Sequence, residues 1–187
     1  RRGSNLFFAS FLYDVSGRST WYVSSGPVSL DGALYTGTLY GASNGQTLGG
    51  AYPGRPALSD EGTVTLAFSS GSTGTMVWPG GTVPIQRFDI IPNGLATGPA
   101  AAMPETGWWW NESESGRGFF MEWQGTSLDI AGYMYDDAGN SVWYLTVGAQ
   151  SADGKTFAGN WWSYGNGQTL TGAWKPNARL STTVAPV

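Results

Sequence analysis

The sequence repeats itself at a fixed spacing of 122 residues. The segment YDVSGRSTWYVSSG, which begins at Tyr13, matches YDDAGNSVWYLTVG, which begins at Tyr135, and SNGQTLGGAY matches GNGQTLTGAW at the same spacing. Without a gap, 21 of the 50 positions of Gly3–Tyr52 are identical to those of Gly125–Trp174. Self-similarity of this kind indicates two copies of one structural unit, so both segments must satisfy the same fold.

The two copies are out of phase with the chain. The motif GWWWNESESGRGFF (Gly107–Phe120) occurs once, because the matching position in copy one would lie before Arg1. Copy one continues through Glu61–Phe88, whereas the sequence ends where those segments would begin in copy two. We interpret the chain as a processed or truncated piece of a longer precursor. The predicted division is copy one at 1–90, lacking its first strand, a Pro/Gly/Ala-rich linker at 91–106, and copy two at 107–187, lacking its last strands.

The residue pattern within each copy predicts strands. Apolar residues alternate along matched segments, which indicates the inward face of one strand in each copy: Leu6, Phe8 and Leu12, and Leu128, Ile130 and Met134. The motif YDxxG predicts a hairpin in which Asp14 begins the turn and Gly17 takes a left-handed conformation, with the same arrangement in copy two. No segment predicts a helix of three turns. We expect an all-β fold, an antiparallel meander forming one or more small β-barrels, with a β-sandwich as the alternative.

Composition excludes several classes of function. The net charge is −4 without a basic stretch, so nucleic acid is not an expected partner. Cysteine and histidine are both absent, which removes the usual zinc ligands and the Ser–His and Cys–His dyads. No apolar run approaches the roughly 20 residues of a transmembrane helix. We therefore predict a protein that is not an enzyme, with no catalytic residues, no metal site, no cofactor and no transmembrane segment.

Candidate ligand-binding residues fall in two aromatic segments. In the first, three consecutive indoles precede a polar loop, and the candidates are Trp108, Trp109, Trp110, Asn111 and Arg117. This segment fits either an aromatic ligand platform or a buried strand whose turn carries an ion pair between Arg117 and Glu112 or Glu114.

The second segment is FAGNWWSYG. Strand alternation places Asn160, Trp162 and Tyr164 on one face and Trp161 on the other, and Tyr40 is the copy-one equivalent of Trp162. Aromatic rings beside amides suit the apolar faces of sugars and also protein contacts. The alternative is that these rings line a barrel.

The block NGQTL is present in both copies. Asn44-Gly45 and its copy-two equivalent Asn166-Gly167 are typical of a type I′ hairpin turn, after which Thr-Leu would return into a strand. The turn does not account for Gln46 and Gln168, which we expect to bind a neighbouring loop or a ligand.

The motifs GWWWNESESGRGFFMEWQ, AGYMYD and NGQTLTGAW, with GTVTLAFSS, WPGG and PIQRF in copy one, resemble a tandem β repeat of exported proteobacterial proteins. Its usual form is Gly-Trp-Trp-Trp-Asn, a short spacer and Glu-Ser-Gly-Arg-Gly-Phe. The resemblance covers nearly the whole chain and implies export and non-enzymatic modularity, without a settled activity. The segment TGWWWN also resembles, weakly, the first strand of avidin- and lipocalin-like barrels, but no site residue carries over.

The expected function is that of a non-enzymatic extracellular or cell-surface module with a structural, adhesive or subunit-contact role. Its expected partners are other protein chains or copies of itself, and its expected location is secreted or cell-surface, in a bacterium. A carbohydrate-binding module that uses exposed Trp and Tyr is the alternative. Because copy one lacks its first strand, an unpaired edge could be filled by strand addition, and we further expect the GWWWN…GFFMEW strand to pack against copy one, in the same chain or another.

Overall fold

The computed structural model describes residues 3–98, 104–153 and 155–186, and it confirms the all-β prediction. Copy one forms a six-stranded antiparallel meander in which each strand pairs with the next along the chain. The strands of this first sheet are β1 (Asn5–Tyr13), β2 (Ser19–Pro27), β3 (Leu34–Ser43), β4 (Ala57–Phe68), β5 (Thr73–Trp78) and β6 (Gly81–Gln86). One short helix, α1 (Gly94–Thr97), lies in the segment predicted as linker.

Copy two forms a second six-stranded antiparallel sheet, again with sequential neighbours. Its strands are β7 (Gly107–Trp109), β8 (Gly118–Gln124), β9 (Ser127–Tyr135), β10 (Ser141–Ala149), β11 (Asn160–Gly165) and β12 (Ala178–Pro186). At the spacing of 122 residues, β9, β10 and β11 are the equivalents of β1, β2 and β3. In the second sheet, β7 and β8 precede these equivalent strands. In the first sheet, β5 and β6 follow β4.

The predicted hairpin turns are confirmed in both copies. The carboxylate Oδ1 of Asp14 accepts hydrogen bonds from the backbone N–H groups of Ser16 at 2.8 Å and Arg18 at 3.0 Å. Gly17 has a φ of 85° and Gly139 a φ of 82°, the left-handed region in which a residue with a Cβ is strained. These turns fix the register of β1 on β2 and of β9 on β10.

Each sheet has its own apolar core. The first sheet curls into a half-barrel around buried residues from β1, β3, β4 and β5, namely Leu12, Tyr35, Leu39, Val64, Leu66, Met76 and Trp78. The core of the second sheet is formed by Trp123, Leu128, Ile130 and Trp161. The inward-facing prediction is confirmed for Leu12, Leu128, Ile130 and Met134, which are buried, while Leu6 and Phe8 are partly buried.

A third core joins the two sheets. It contains buried residues from both copies: Tyr13, Trp21, Ala131, Tyr133, Tyr135 and Trp143. Strands β2 and β10 make most of the contacts between the sheets. Each sheet thus has one face toward its own half of the molecule and one face, the junction face, toward the other copy.

Candidate functional site: the junction between the copies

A loop of copy one reaches across to copy two. The loop 44–56, which follows β3, carries the NGQTL block and docks on the hairpin turn between β9 and β10. The N–H of Asn44 donates to the carbonyl of Gly139 at 2.7 Å, and the N–H of Tyr135 donates to the carbonyl of Gln46 at 3.2 Å. Thr47 and Tyr135 also form a parallel β-bridge. The loop therefore continues the second sheet rather than its own.

Copy two makes the same contact in return. The N–H of Asn166 donates to the carbonyl of Gly17 at 2.8 Å, and the N–H of Tyr13 donates to the carbonyl of Gln168 at 3.1 Å. Every residue in these two bonds is the 122-residue equivalent of a residue in the first pair. The contact is therefore reciprocal, with the same surface used on both copies, as in a two-fold symmetric dimer.

The NGQTL block does not form the predicted type I′ turn. That turn needs positive φ at both central residues, yet only the asparagines have it, at 60° for Asn44 and 64° for Asn166. Glycine is required at the next position for space, because a methyl group at Gly45 would overlap the ring of Tyr135. The segment then runs as a long loop rather than returning directly into a strand. The type I′ prediction is wrong, because tertiary contact with the other copy replaces local pairing.

Two buried indoles lock the sheets together. The Nε1 of Trp21 donates to the carbonyl of Met134 at 2.9 Å, and the Nε1 of Trp143 donates to the carbonyl of Leu12 at 3.1 Å. These bonds are again equivalent at the spacing of 122. Around them, Tyr133 stacks on Phe11 with a centroid distance of 5.2 Å. An indole N–H that is paired inside an aromatic core fixes both position and register.

Arg117 lies at this junction and ties the ESESGRG loop to copy one. Its guanidinium donates to the carbonyl oxygens of Thr47 at 3.1 Å and Leu48 at 3.0 Å, and to the carboxylate of Glu114 at 3.1 Å. The predicted ion pair is thus formed with Glu114. The same carboxylate accepts from the side-chain Nε2 of Gln46 at 3.4 Å. Arg117 thus holds two loops together. One partner of Gln46 is, as expected, a neighbouring loop, and that loop belongs to the other copy.

The three consecutive indoles have different surroundings. Trp108 is partly buried at the junction and meets Phe7 of copy one edge-on, with a centroid distance of 4.7 Å. Trp109 is 43% exposed and Trp110 is 60% exposed. Asn111 is exposed, and its Oδ1 accepts from the N–H of Ser113 at 3.0 Å within the turn. Of these candidates, only Trp109 and Trp110 present rings to solvent.

The predicted strand addition onto copy one is wrong for this segment. Strand β7 pairs with β8, and β8 pairs with β9, so both strands belong to the second sheet. Their contact with copy one is made by side chains, through Trp108 and Arg117. The backbone of β8 is already paired on both edges and has none left for copy one.

The residues of the second predicted aromatic segment differ in their surroundings. Trp161 is buried, as predicted, and so is its copy-one equivalent Leu39. Tyr164, however, stacks on Trp143 in the junction with a centroid distance of 5.2 Å, so it is not part of an open platform. The register shift between Trp162 and Tyr164 places its extra residues on β12.

The remaining candidates of this segment are exposed or covered by another side chain. Asn160 is exposed, and Tyr40 is 37% exposed on β3, in the other sheet. Trp162 is partly buried beneath the guanidinium of Arg179, whose central carbon lies 4.3 Å from the ring centroid. Asn160, Trp162 and Tyr164 thus share β11, whereas Tyr40 belongs to the first sheet.

A polar cluster at the end of β8 was not predicted. The side-chain oxygen of Gln124 accepts from the N–H of Ile90 at 2.7 Å, and its amide donates to the carbonyl of Phe88 at 2.9 Å. Beside it, Glu122 is buried and forms an ion pair with Arg87. The end of copy one, just before the predicted linker, is therefore fixed to copy two by side chains whose sequence carries no recognisable signal.

Asp129 pairs with Glu122 across strands β8 and β9. Burial, and then repulsion by the Glu122 carboxylate, raise the pKa of Asp129 from 3.8 to about 6. Two carboxyl groups close together in a partly dry site disfavour a second negative charge. The Asp129 carboxyl therefore holds its proton more readily than a free aspartate does.

The half-barrel of copy one contains an apolar cleft of about 520 Å³ between β1 and β6. Its lining residues include Leu6, Phe8, Ser10, Met76 and Ile85, together with Gln168 from the loop of copy two. The Oγ of Ser10 is buried without a hydrogen-bond partner. Strand β1 pairs with β2 on one edge, and within the described ranges no strand pairs with its other edge.

Comparisons with known proteins find no matching family model, no matching curated protein and no matching solved structure. Within residues 3–98, 104–153 and 155–186, no helix has the length and apolar character needed to cross a membrane.

Proposed function

We propose that this protein is a non-enzymatic, exported β-repeat module of the bacterial cell surface or exterior, with a structural, adhesive or subunit-contact role. The observation that carries the proposal is the reciprocal docking of the two NGQTL loops. Each loop binds the hairpin turn of the other copy through equivalent backbone hydrogen bonds. A surface that binds its own equivalent is suited to joining repeat to repeat, within a chain or between chains.

The chemistry of the junction supports contact rather than catalysis. Its aromatic rings pack on one another, and its Arg117 guanidinium is occupied by two carbonyl groups and a carboxylate. Three of the candidates for ligand binding in copy two, Trp108, Arg117 and Tyr164, lie in the junction instead. Export and a cell-surface location are supported by the resemblance of the repeat motifs to exported proteins.

A binding assay tests this function. The full chain is immobilised and exposed to the soluble full chain, to other proteins that carry the same repeat, and to a broad glycan panel. We expect saturable binding to repeat-bearing chains. A chain that binds no repeat protein, or that turns over a substrate from a panel of glycosides and esters, would contradict the proposal.

A carbohydrate-binding function is the second candidate, and the exposure of Trp109 and Trp110 favours it. Adjacent exposed indoles suit the apolar faces of sugar rings. Substitution of Trp110 by Ala removes the more exposed ring without touching the junction. If a glycan binds, this variant should weaken binding by about tenfold or more, equal to about 1.4 kcal/mol, whereas Trp162→Ala should have little effect because Arg179 covers that ring.

A further inference from the structure

The chain contains one site twice, once occupied and once open. In the second sheet, β9 pairs with β10 on one edge and with β8 on the other. In the first sheet, the equivalent strand β1 pairs with β2, and within the described residues its other edge carries no strand. The occupied site therefore shows what kind of segment fits the open one.

The backbone before β1 already has the conformation that the hairpin requires. Strands β8 and β9 are joined by a tight turn at Gly125 and Thr126, where Gly125 has a φ of 61°. The equivalent residue before β1 is Gly3, which has a φ of 56°. Both are in the left-handed region that favours glycine. The direction of β1 and of its entry thus matches a hairpin whose other strand lies on the open edge.

The cleft of copy one lies where the side chains of such a strand would pack. In the second sheet, Phe119, Met121 and Trp123 of β8 stand opposite Gly132, Ile130 and Leu128 of β9 in the register of the sheet. The copy-one equivalents of these three β9 residues are Ser10, Phe8 and Leu6, and all three line the 520 Å³ cleft.

The equivalent apolar residues are more deeply buried at the occupied site than at the open site. Leu128 is 3% exposed and Ile130 is 6% exposed beneath β8, while their equivalents Leu6 and Phe8 are only partly buried. An added strand would remove this apolar surface from water, which is the main favourable contribution in strand addition.

The polar half of the site is also present twice. At the occupied site, Arg117 binds the carbonyl oxygens of Thr47 and Leu48, and Glu114 accepts from Gln46. The equivalents in the loop of copy two are Thr169, Leu170 and Gln168.

Two aromatic residues show the difference between these loops. Tyr52 is partly buried, and its hydroxyl lies 3.2 Å from the Oγ of Ser115 in the ESESGRG loop. Its equivalent Trp174 is 77% exposed. Gln168 keeps its bond to the carbonyl of Gly172 at 3.2 Å, as Gln46 does to Gly50, and it lines the mouth of the cleft.

We propose that the open edge of β1, with the adjoining cleft and the loop at Gln168–Trp174, binds a β-hairpin of the GWWWN…ESGRGFF type that lies outside the described residues. The inference rests on the proposed contact function and names the partner of the half-barrel. The added strand pairs with β1, its Phe, Met and Trp side chains fill the cleft, and its Glu and Arg bind the loop of copy two. The hairpin of a second copy is unsuited, because its β8 is already paired on both edges.

The test uses the full chain and a synthetic peptide that spans residues 104–126, the hairpin of copy two. We expect saturable binding at one peptide per chain by calorimetry, with slowed amide exchange along β1. Matched peptides separate the two halves of the site. Arg117→Ala in the peptide should weaken binding by about tenfold, as should Met121→Asp, whereas Glu112→Ala, outside the proposed contacts, should leave it unchanged within about twofold.

A covalent version covers the case in which the free peptide does not fold. Residues 104–124 are joined directly to Gly3 in place of Arg1 and Arg2, so that Gln124-Gly3-Ser4-Asn5 reproduces the turn at Gly125. We expect the Tm to rise by about 5 °C or more, Trp174 to become protected from oxidation, and the fused chain to lose affinity for the free peptide.

Opposite results overturn the inference. A fused chain with an unchanged Tm and an exposed Trp174 would do so, as would a fatty acid or dye that fills the cleft without being displaced by the peptide. A native dimer that exchanges its hairpins would also overturn it. If hairpin binding fails while the immobilised chain still binds repeat proteins, the contact function stands and this site assignment alone is wrong.

Discussion

Gly45 lies against the ring of Tyr135 so closely that no side chain fits between them. Gly167, the equivalent of Gly45, lies in the same way against Tyr13, the equivalent of Tyr135. Two contacts of this kind, related by the repeat, mean that the surface of the junction was fixed in both copies by the same steric demand. The matched Gly and Tyr residues of the two copies therefore serve the docking of one copy on the other as well as the fold of each.

Substitution of Gly45 by Ala should destabilise the protein by about 1–3 kcal/mol, the usual cost of overpacking. The backbone of Gly45 is outside the left-handed region, so the cost arises from the ring of Tyr135 and not from φ. Gly49→Ala, in the same loop, is the control because a Cβ there meets open space. Urea denaturation measures both variants. Equal free energies of unfolding for the two would show that the loop is not docked.

The indole hydrogen bond of Trp21 should add to the stability that its buried ring provides. Trp21 and Trp78 are similarly buried, at 5% and 8% exposure, but only Trp21 donates its N–H, while the Nε1 of Trp78 has no partner. Replacement by Phe removes the N–H in both. We expect Trp21→Phe to cost about 1 kcal/mol more than Trp78→Phe, because it removes the hydrogen bond to the carbonyl of Met134. Thermal unfolding that ranks the variants in the reverse order would contradict this.

The sequence was sufficient to predict most of the fold. Alternation at Leu128 and Ile130, and the Asp–Gly turn chemistry, act locally, and the structure confirms the strands and turns that they predict. The choice between barrel and sandwich was left open for a physical reason. The first sheet curls as a half-barrel, while its other face packs on the second sheet, so both packing modes occur in one molecule.

The junction was much harder to predict. The Asn-Gly pair at 44–45 has a strong local preference for a tight hairpin, and only the position of Tyr135, 90 residues away in the chain, overrides it. Tyr164 follows Trp162 in strand alternation, but its ring stacks on Trp143, 21 residues away in the chain, and the sequence does not indicate that contact. Arg117 donates to two backbone carbonyl groups, which any residue can supply, so the sequence does not indicate this contact.

Replacing Arg117 by Lys should weaken the junction although it keeps the charge. The guanidinium reaches two carbonyls and a carboxylate at once, and a single ammonium lacks that fork geometry. We expect a loss of about 1–3 kcal/mol in the free energy of unfolding. Arg18→Lys is the control, because its pair with Asp14 is solvent-exposed, at 56% for the Arg18 side chain, and should matter by less than about 1 kcal/mol. A larger effect at Arg18 would refute the assignment.

Asp129 should make stability depend on pH between about 4 and 6. Burial and then the Glu122 carboxylate raise its pKa from 3.8 to about 6, so the folded state holds a proton that the unfolded chain has released. The free energy that Asp129 contributes is therefore most favourable below pH 3.8 and declines as pH rises through 6. Above that range, the folded protein carries a buried second charge beside Glu122.

Substitution of Asp129 by Asn removes this charge and should raise the free energy of unfolding at pH 7.5 by about 1–3 kcal/mol. The advantage of the variant over the native protein should shrink as pH is lowered to 4, because the native carboxyl is then neutral as well. Asp137→Asn is the control, since Asp137 is exposed in the hairpin turn. Denaturation curves at several pH values measure the difference directly. A constant difference from pH 4 to 7.5 would mean that Asp129 acts through packing or hydrogen bonding, and that its charge is not what strains the junction.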